Sequence, residues 1–122
     1  MKIHKMAIVA LIVSLSSVVQ AKTQKEAVYT PEHGIICDKK AGFCVDSEGI
    51  SMGFTEIYLG KKAVEKFMKM TAGIEDMNLK SYTLSNGLSC DSTKRICKKS
   101  KWDEKVDEHW TQVLFGKDLK IK

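Results

Sequence analysis

The chain has 122 residues, with 20 lysines and arginines against 15 acidic residues, and four cysteines. A chain of this length has room for one hydrophobic core and excludes two independent domains of ordinary size. Its formal net charge of +5 is too small to argue by itself for a nucleic-acid partner.

Residues 1–21 predict a cleaved signal peptide. Lys2 and Lys5 give a basic start, Met6 to Val19 form an apolar run interrupted only by Ser14, Ser16 and Ser17, and Val19-Gln20-Ala21 supplies small residues at the minus-three and minus-one positions. The run falls short of the roughly 20 apolar residues that span a bilayer, so no transmembrane span is expected after cleavage. The alternative is an uncleaved N-terminal anchor. Cleavage after Ala21 leaves 18 basic against 15 acidic residues, a net charge of +3. The expected location is the periplasm, with an extracellular destination as the alternative. An even number of cysteines in an exported chain of this size points to a disulfide framework.

An internal repeat organises the mature part. Tyr29-Thr30, Gly34, Cys37-Asp38 and Cys44 recur as Tyr82-Thr83, Gly87, Cys90-Asp91 and Cys97, at a constant offset of 53. After a three-residue slip, Thr55, Gly60 and Lys61 answer Thr111, Gly116 and Lys117, with Tyr58-Leu59 facing Leu114-Phe115. The repeats run over about residues 29–70 and 82–117, within one mature domain of residues 22–122.

In each copy a glycine marks a turn and an apolar stretch leads to Cys-Asp, with six residues between the cysteines. This spacing predicts hairpins: Ile35 to Cys37 with Phe43 to Val45, and Leu88 to Cys90 with Ile96 to Lys98. Cysteines facing each other across neighbouring strands come within bonding distance, which predicts Cys37 with Cys44 and Cys90 with Cys97. Crossed pairing between the copies is the alternative. Each local bridge would contribute about 2.5 kcal/mol in the chain-entropy picture.

Asp46-Ser47-Glu48-Gly49 reads as a turn; it also matches a fragment of a calcium loop, but lacks the further ligands and the distal glutamate. A helical segment is expected to start near Thr55 as N-cap, with Glu56 in its first turn and Gly60 as an interruption. Ala63, Val64, Phe67 and Met68 then recur at helical spacing, so Lys61 to Met70 should be an amphipathic helix with that stripe in the core. Asp107 to Phe115 should form a shorter helix ended by Gly116. The fold class is α+β, two hairpin-plus-helix units stiffened by disulfides. Whether the units are related by a twofold axis or stack side by side is open.

No catalytic constellation emerges. His33 with Cys37 and Cys44 could form a zinc site only if those thiols were free. Asp38 and Asp91, at equivalent positions, could in principle work as an acid/base pair, but an aspartate between a strand and a turn more often takes nearby backbone amides. Ser47, Ser51 and Ser85 lie in no nucleophile motif. The densest charge comprises Lys94, Arg95, Lys98, Lys99 and Lys101 beside Trp102, a candidate anionic-ligand surface. Asp103, Glu104, Asp107 and Glu108 follow at once and neutralise much of that field. Trp102 and Trp110 have the spacing of one helical face and could equally be core.

The set Gly34-Ile35-Ile36-Cys37-Asp38, Cys44, Gly49-Ile50-Ser51, Thr55 and Tyr58-Leu59-Gly60-Lys61-Lys62-Ala63 resembles the YcgJ-like proteins, also called the Fels-1 prophage protein-like family. The resemblance continues through Asn86-Gly87-Leu88, Cys90-Asp91, Cys97, Thr111 and Leu114-Phe115-Gly116, nearly the whole mature chain. It implies a small exported bacterial protein with paired cysteines, and it carries no catalytic residue across.

Taken together, the expectation is a non-enzymatic periplasmic module without cofactor or metal. Its partner would be an envelope or imported protein, one version being an inhibitor or immunity protein against a cell-wall hydrolase or toxin. The other reading is an anionic glycan or lipid head group held by the basic hairpin; nucleic acid is not expected.

Overall fold

The computed structural model describes residues 27–121, and of residues beyond Gly116 only the helical backbone. The expected signal peptide, residues 1–21, lies outside the described residues. The elements in chain order are β1 (Val28–Glu32), β2 (Ile35–Asp38), β3 (Phe43–Asp46), β4 (Gly49–Ser51), α1 (Met52–Leu59), α2 (Lys61–Thr71), β5 (Ser81–Thr83), β6 (Ser89–Asp91), β7 (Ile96–Lys98) and α3 (Glu108–Ile121). The strands form two antiparallel meanders, β1-β2-β3-β4 and β5-β6-β7. The class is α+β, as the sequence predicts. Each expected hairpin is present, and each gains an outer strand, β1 or β5, that was not anticipated; the first sheet also gains β4, so that Gly49, expected in the turn, begins a strand.

The repeat is real at the level of register. Tyr29 pairs with Cys37 as Tyr82 pairs with Cys90, and Asp38 pairs with Phe43 as Asp91 pairs with Ile96. Cys37 faces Cys44 and Cys90 faces Cys97, and both pairs are disulfide-bonded, with Cα separations of 4.0 and 4.1 Å. The crossed alternative is thereby excluded. The bridges also remove both thiolates from the Cys37, Cys44 and His33 zinc alternative.

A helix covers the cysteine face of each hairpin, and a threonine ties it down. The Cys44 amide donates to Thr55 Oγ1 at 2.8 Å, and the Cys97 amide to Thr111 Oγ1 at 2.9 Å. Ser51 caps α1 by accepting from the Phe54 amide, and Asp107 caps α3 by accepting from the Trp110 amide. Thr55 is therefore not the N-cap expected from its residue type. It is a buried residue inside α1, and its hydroxyl donates to the Ser51 carbonyl while accepting from Cys44. Gly116 also departs from expectation. Gly60 ends α1 at a φ of 96°, a left-handed conformation that suits glycine, whereas Gly116 has no positive φ and α3 runs through it to Ile121.

The helix α2 spans Lys61–Thr71, close to the expected bounds. Phe67 is buried and meets Phe43 edge-on at 5.9 Å, but Met68 is 58% exposed, so the expected core stripe ends short of it. No helix among the described residues is long and apolar enough to cross a membrane.

Two apolar clusters show how the units sit together. Ile35, Cys37 and Cys44, the cysteine face of the first sheet, pack under Phe54, Tyr58 and Leu59 of α1. The opposite face, with Ile36 and Val45, shares a second cluster with Tyr82, Cys90 and Cys97, the cysteine face of the second sheet, and with Leu114 and Phe115 of α3. Phe43 from the first unit meets Tyr82 from the second edge-on at 6.4 Å. Unlike faces are in contact, so the units stack head to tail. A twofold relation would bring like faces together, and the question left open by the sequence is settled in favour of stacking.

Candidate functional site

Head-to-tail stacking leaves one sheet face without a successor. In the first unit, the face carrying Val28, Ile36, Asp38, Phe43 and Val45 is covered by the second unit. The equivalent positions of the second unit, 53 residues on, are Ser81, Ser89, Asp91, Ile96 and Lys98. They are half-buried or exposed, and they floor a concavity of about 210 Å³ edged by Lys94 and Lys101. Where unit one is apolar and occupied, unit two is polar and open.

The two aspartates show the same contrast. Asp38 is fully buried; its Oδ1 accepts from the amides of Lys40 and Ala41 and from the Ser85 hydroxyl, while its Oδ2 accepts from the Ser85 amide. The Lys40 and Ala41 bonds close the β2–β3 turn, and the Ser85 bonds lock the tip of the β5–β6 hairpin onto the first unit. Asp91 repeats only the first role, with Oδ1 accepting from the amides of Thr93 and Lys94. Its Oδ2 makes no hydrogen bond among the described residues, and Asp91 lines the open concavity. The backbone role anticipated for both aspartates is what the structure shows. Asp38 is sealed between the units, out of reach of a substrate.

The six residues of the candidate anionic-ligand surface are distributed over the second unit. Lys94, Lys98 and Lys101 gather around the open concavity. Lys99 instead borders a neighbouring concavity with Asp103, Asp107, Glu108 and His109. Arg95, held at a φ of 59°, places its guanidinium 5.1 Å from the centre of the Phe115 ring. Trp102 is 82% exposed in the loop ahead of α3, with the Lys101 ammonium 4.9 Å over its ring, and is not core. Trp110 is half-buried and packs against the shared apolar cluster.

The charge reading of the sequence missed Ser81, Ser89 and Asp91 as members of this face. Their signal lay in the repeat. Val28 to Ser81, Ile36 to Ser89 and Val45 to Lys98 are apolar-to-polar exchanges at equivalent positions on one side of paired strands. Such alternation marks which face meets solvent.

Three other hydroxyls stand out chemically. The Tyr82 and Ser92 hydroxyls are buried and lack hydrogen-bond partners among the described residues. Burial pushes the Tyr82 phenol well above its ordinary value; the nearby Ser92 hydroxyl opposes this and the Asp46 charge adds to it. On the surface, Tyr58 donates to Glu32 Oε2 at 2.8 Å, which raises the Tyr58 phenol by stabilising its protonated form.

No solved structure matches the chain significantly. The protein of Escherichia coli (strain K12) described as "Uncharacterized protein YcgJ" is 29% identical over 93 residues, covering 70% of this chain and 71% of that protein. The YcgJ protein family matches residues 28–115, a span that takes in the seven strands among the described residues, α1, α2, both disulfides and α3 as far as Phe115. With that extent of match, the chain belongs to the YcgJ family.

Proposed function

We propose that this chain is an exported, non-enzymatic protein-binding module that presents the open face of β5-β6-β7 to an envelope or imported protein. One observation carries the reading. That face is the counterpart of the surface on which the first unit already binds a folded neighbour. Two short cross-strand disulfides stiffen the sheets, and a pre-ordered surface loses less entropy on binding. An inhibitor or immunity protein is one version of such a module.

The test is retention of a discrete envelope protein by the oxidised chain, compared with a Lys94→Glu, Lys98→Glu double variant and with a control variant Lys61→Glu, Lys66→Glu on α2. Loss with the first pair and retention with the second supports the reading. Equal retention by all three defeats it.

A second reading has its own observation, the three lysines around one concavity. Anionic glycan or lipid head groups would bind there with a steep salt dependence. Binding of anionic vesicles that persists at high salt would remove that reading.

A further inference from the structure

The contact between the two units serves as an internal template for what the open face accepts. On the first unit, the docking element is the tip of the β5–β6 hairpin, a tight turn in which the Leu84 amide donates to the Leu88 carbonyl and Gly87 adopts a φ of 94°. Ser85 at that tip gives both its amide and its hydroxyl to Asp38, whose Oδ1 at the same time holds the adjoining hairpin turn. The flanking Leu84 and Leu88 are buried in the shared cluster.

Asp91 offers the same geometry one unit further on. Its Oδ1 holds the β6–β7 turn, and, as in Asp38, Oδ2 is left for an incoming amide while Oδ1 can also take a hydroxyl. The surroundings have changed from apolar to basic, with Ser89 for Ile36, Lys98 for Val45, and Lys94 and Lys101 alongside. We infer that the open face recognises an acidic protein loop whose tip carries a serine or threonine, its backbone amide and hydroxyl donating to Asp91 while flanking carboxylates meet Lys94, Lys98 and Lys101. This rests on the open face being the binding surface and adds the chemistry of its partner.

A second copy of this chain is a poor occupant. Continued stacking would present the β1–β2 turn of its first unit, where Glu32 stands at the position equivalent to Ser85. A carboxylate would then face the Asp91 carboxylate, and like charges in contact oppose association. The stack ends after two units, and the last face is left for a different protein.

Asp91→Asn is the decisive variant, because asparagine keeps an oxygen for the Thr93 and Lys94 amides and turns the other acceptor into a donor. The probe is a displayed library of short disulfide-closed peptide loops, selected on oxidised protein produced from the full chain. Enriched loops should combine a serine or threonine at the tip with aspartate or glutamate beside it. Their affinity should fall by about tenfold or more both on Asp91→Asn and on replacing the loop hydroxyl residue by alanine, as expected for a charge-assisted hydrogen bond. Loops that require Lys98 but bind Asp91→Asn equally well, or need no hydroxyl, overturn the partner chemistry and leave the binding face standing. Loops indifferent to both Asp91→Asn and Lys98→Glu overturn the face as well. A selection that yields no binder to the unsubstituted protein also counts against the inference.

Discussion

Ser85 and Asp38 join the two units across 47 residues of sequence, with the serine amide at 2.6 Å from Oδ2 and its hydroxyl at 2.8 Å from Oδ1. The acceptor is fully buried and serves four donors at once. Removing it takes the shared acceptor from the Lys40, Ala41 and Ser85 amides and the Ser85 hydroxyl at a partly buried contact. Asp38→Ala should therefore destabilise the protein by roughly 3–5 kcal/mol, whereas Asp91→Ala, which frees only two exposed turn amides, should cost about 1 kcal/mol. Urea unfolding of the oxidised variants measures both values. Equal losses would show that the two aspartates are equivalent and that the asymmetry described above does not exist.

The threonines give a second comparison between the copies. Thr55→Val keeps shape and β-branching but leaves the Cys44 amide without its acceptor, and Thr111→Val does the same to the Cys97 amide. A stranded buried amide costs roughly 1–3 kcal/mol, so Thr55→Val should lie in that range and Thr111→Val at its lower end, since Thr111 is only half-buried. Serine at either position retains the hydroxyl and should lose less. Chemical denaturation with intact disulfides checks the order. A serine variant as weak as the valine variant would show that the methyl contact, not the hydrogen bond, matters.

Much of this architecture can be read from the residues alone. The constant offset of 53 locates both hairpins and both disulfides because cysteine pairing, Gly-bearing turns and strand alternation all act within a few residues of one another. The departures occur where a distant partner decides. Thr55 has the chemistry of an N-cap, but the Cys44 amide, 11 residues upstream, claims its hydroxyl and Ser51 does the capping. Gly60 and Gly116 are equivalent in sequence, yet only Gly60 takes a positive φ, and glycine composition does not encode which. The stacking direction becomes visible only once strand register assigns Ile36 and Val45 to the face opposite the cysteines; the polar exchanges at Ser89 and Lys98 then mark the open end. A count of lysines gathers Lys94 through Lys101 into one patch. The chain path divides them, sending Arg95 to Phe115 and Lys99 to a different concavity.

Gly49 fixes the seam where the first sheet approaches the second. Its φ is 126°, it is buried, and a β-carbon there would run into the Leu79 carbonyl that accepts the Ile50 amide at 2.8 Å. Both the backbone conformation and the lack of space oppose a side chain. Gly49→Ala should destabilise by about 2 kcal/mol or more, whereas Gly42→Ala, with open space around its β-carbon, should lose only the cost of its left-handed backbone, roughly 1 kcal/mol. Comparable thermal shifts for the two would mean that Leu79 moves aside freely.

Tyr82 ties the shared core to pH. Its ring meets Phe43 across the unit boundary, while its hydroxyl is buried without a partner. The phenol is desolvated and has only the nearby Ser92 hydroxyl, outside hydrogen-bond geometry, to offset that cost, so Tyr82→Phe should be neutral or stabilising by up to about 1 kcal/mol at pH 7. Burial raises the folded-state phenol above its unfolded value. Between those two values the unfolded chain has lost the proton that the folded chain still holds, so stability falls as pH rises beyond about 10. Below that value both states are neutral and this contribution is fully present. Tyr58, also raised, acts in the same direction from the surface. Tyr82→Phe should therefore flatten, without abolishing, the alkaline decline of the urea midpoint measured from pH 7 to about pH 11. A loss of more than about 1 kcal/mol at pH 7 would reveal a working hydrogen bond from the phenol, and an unchanged alkaline slope would show that Tyr82 does not set it.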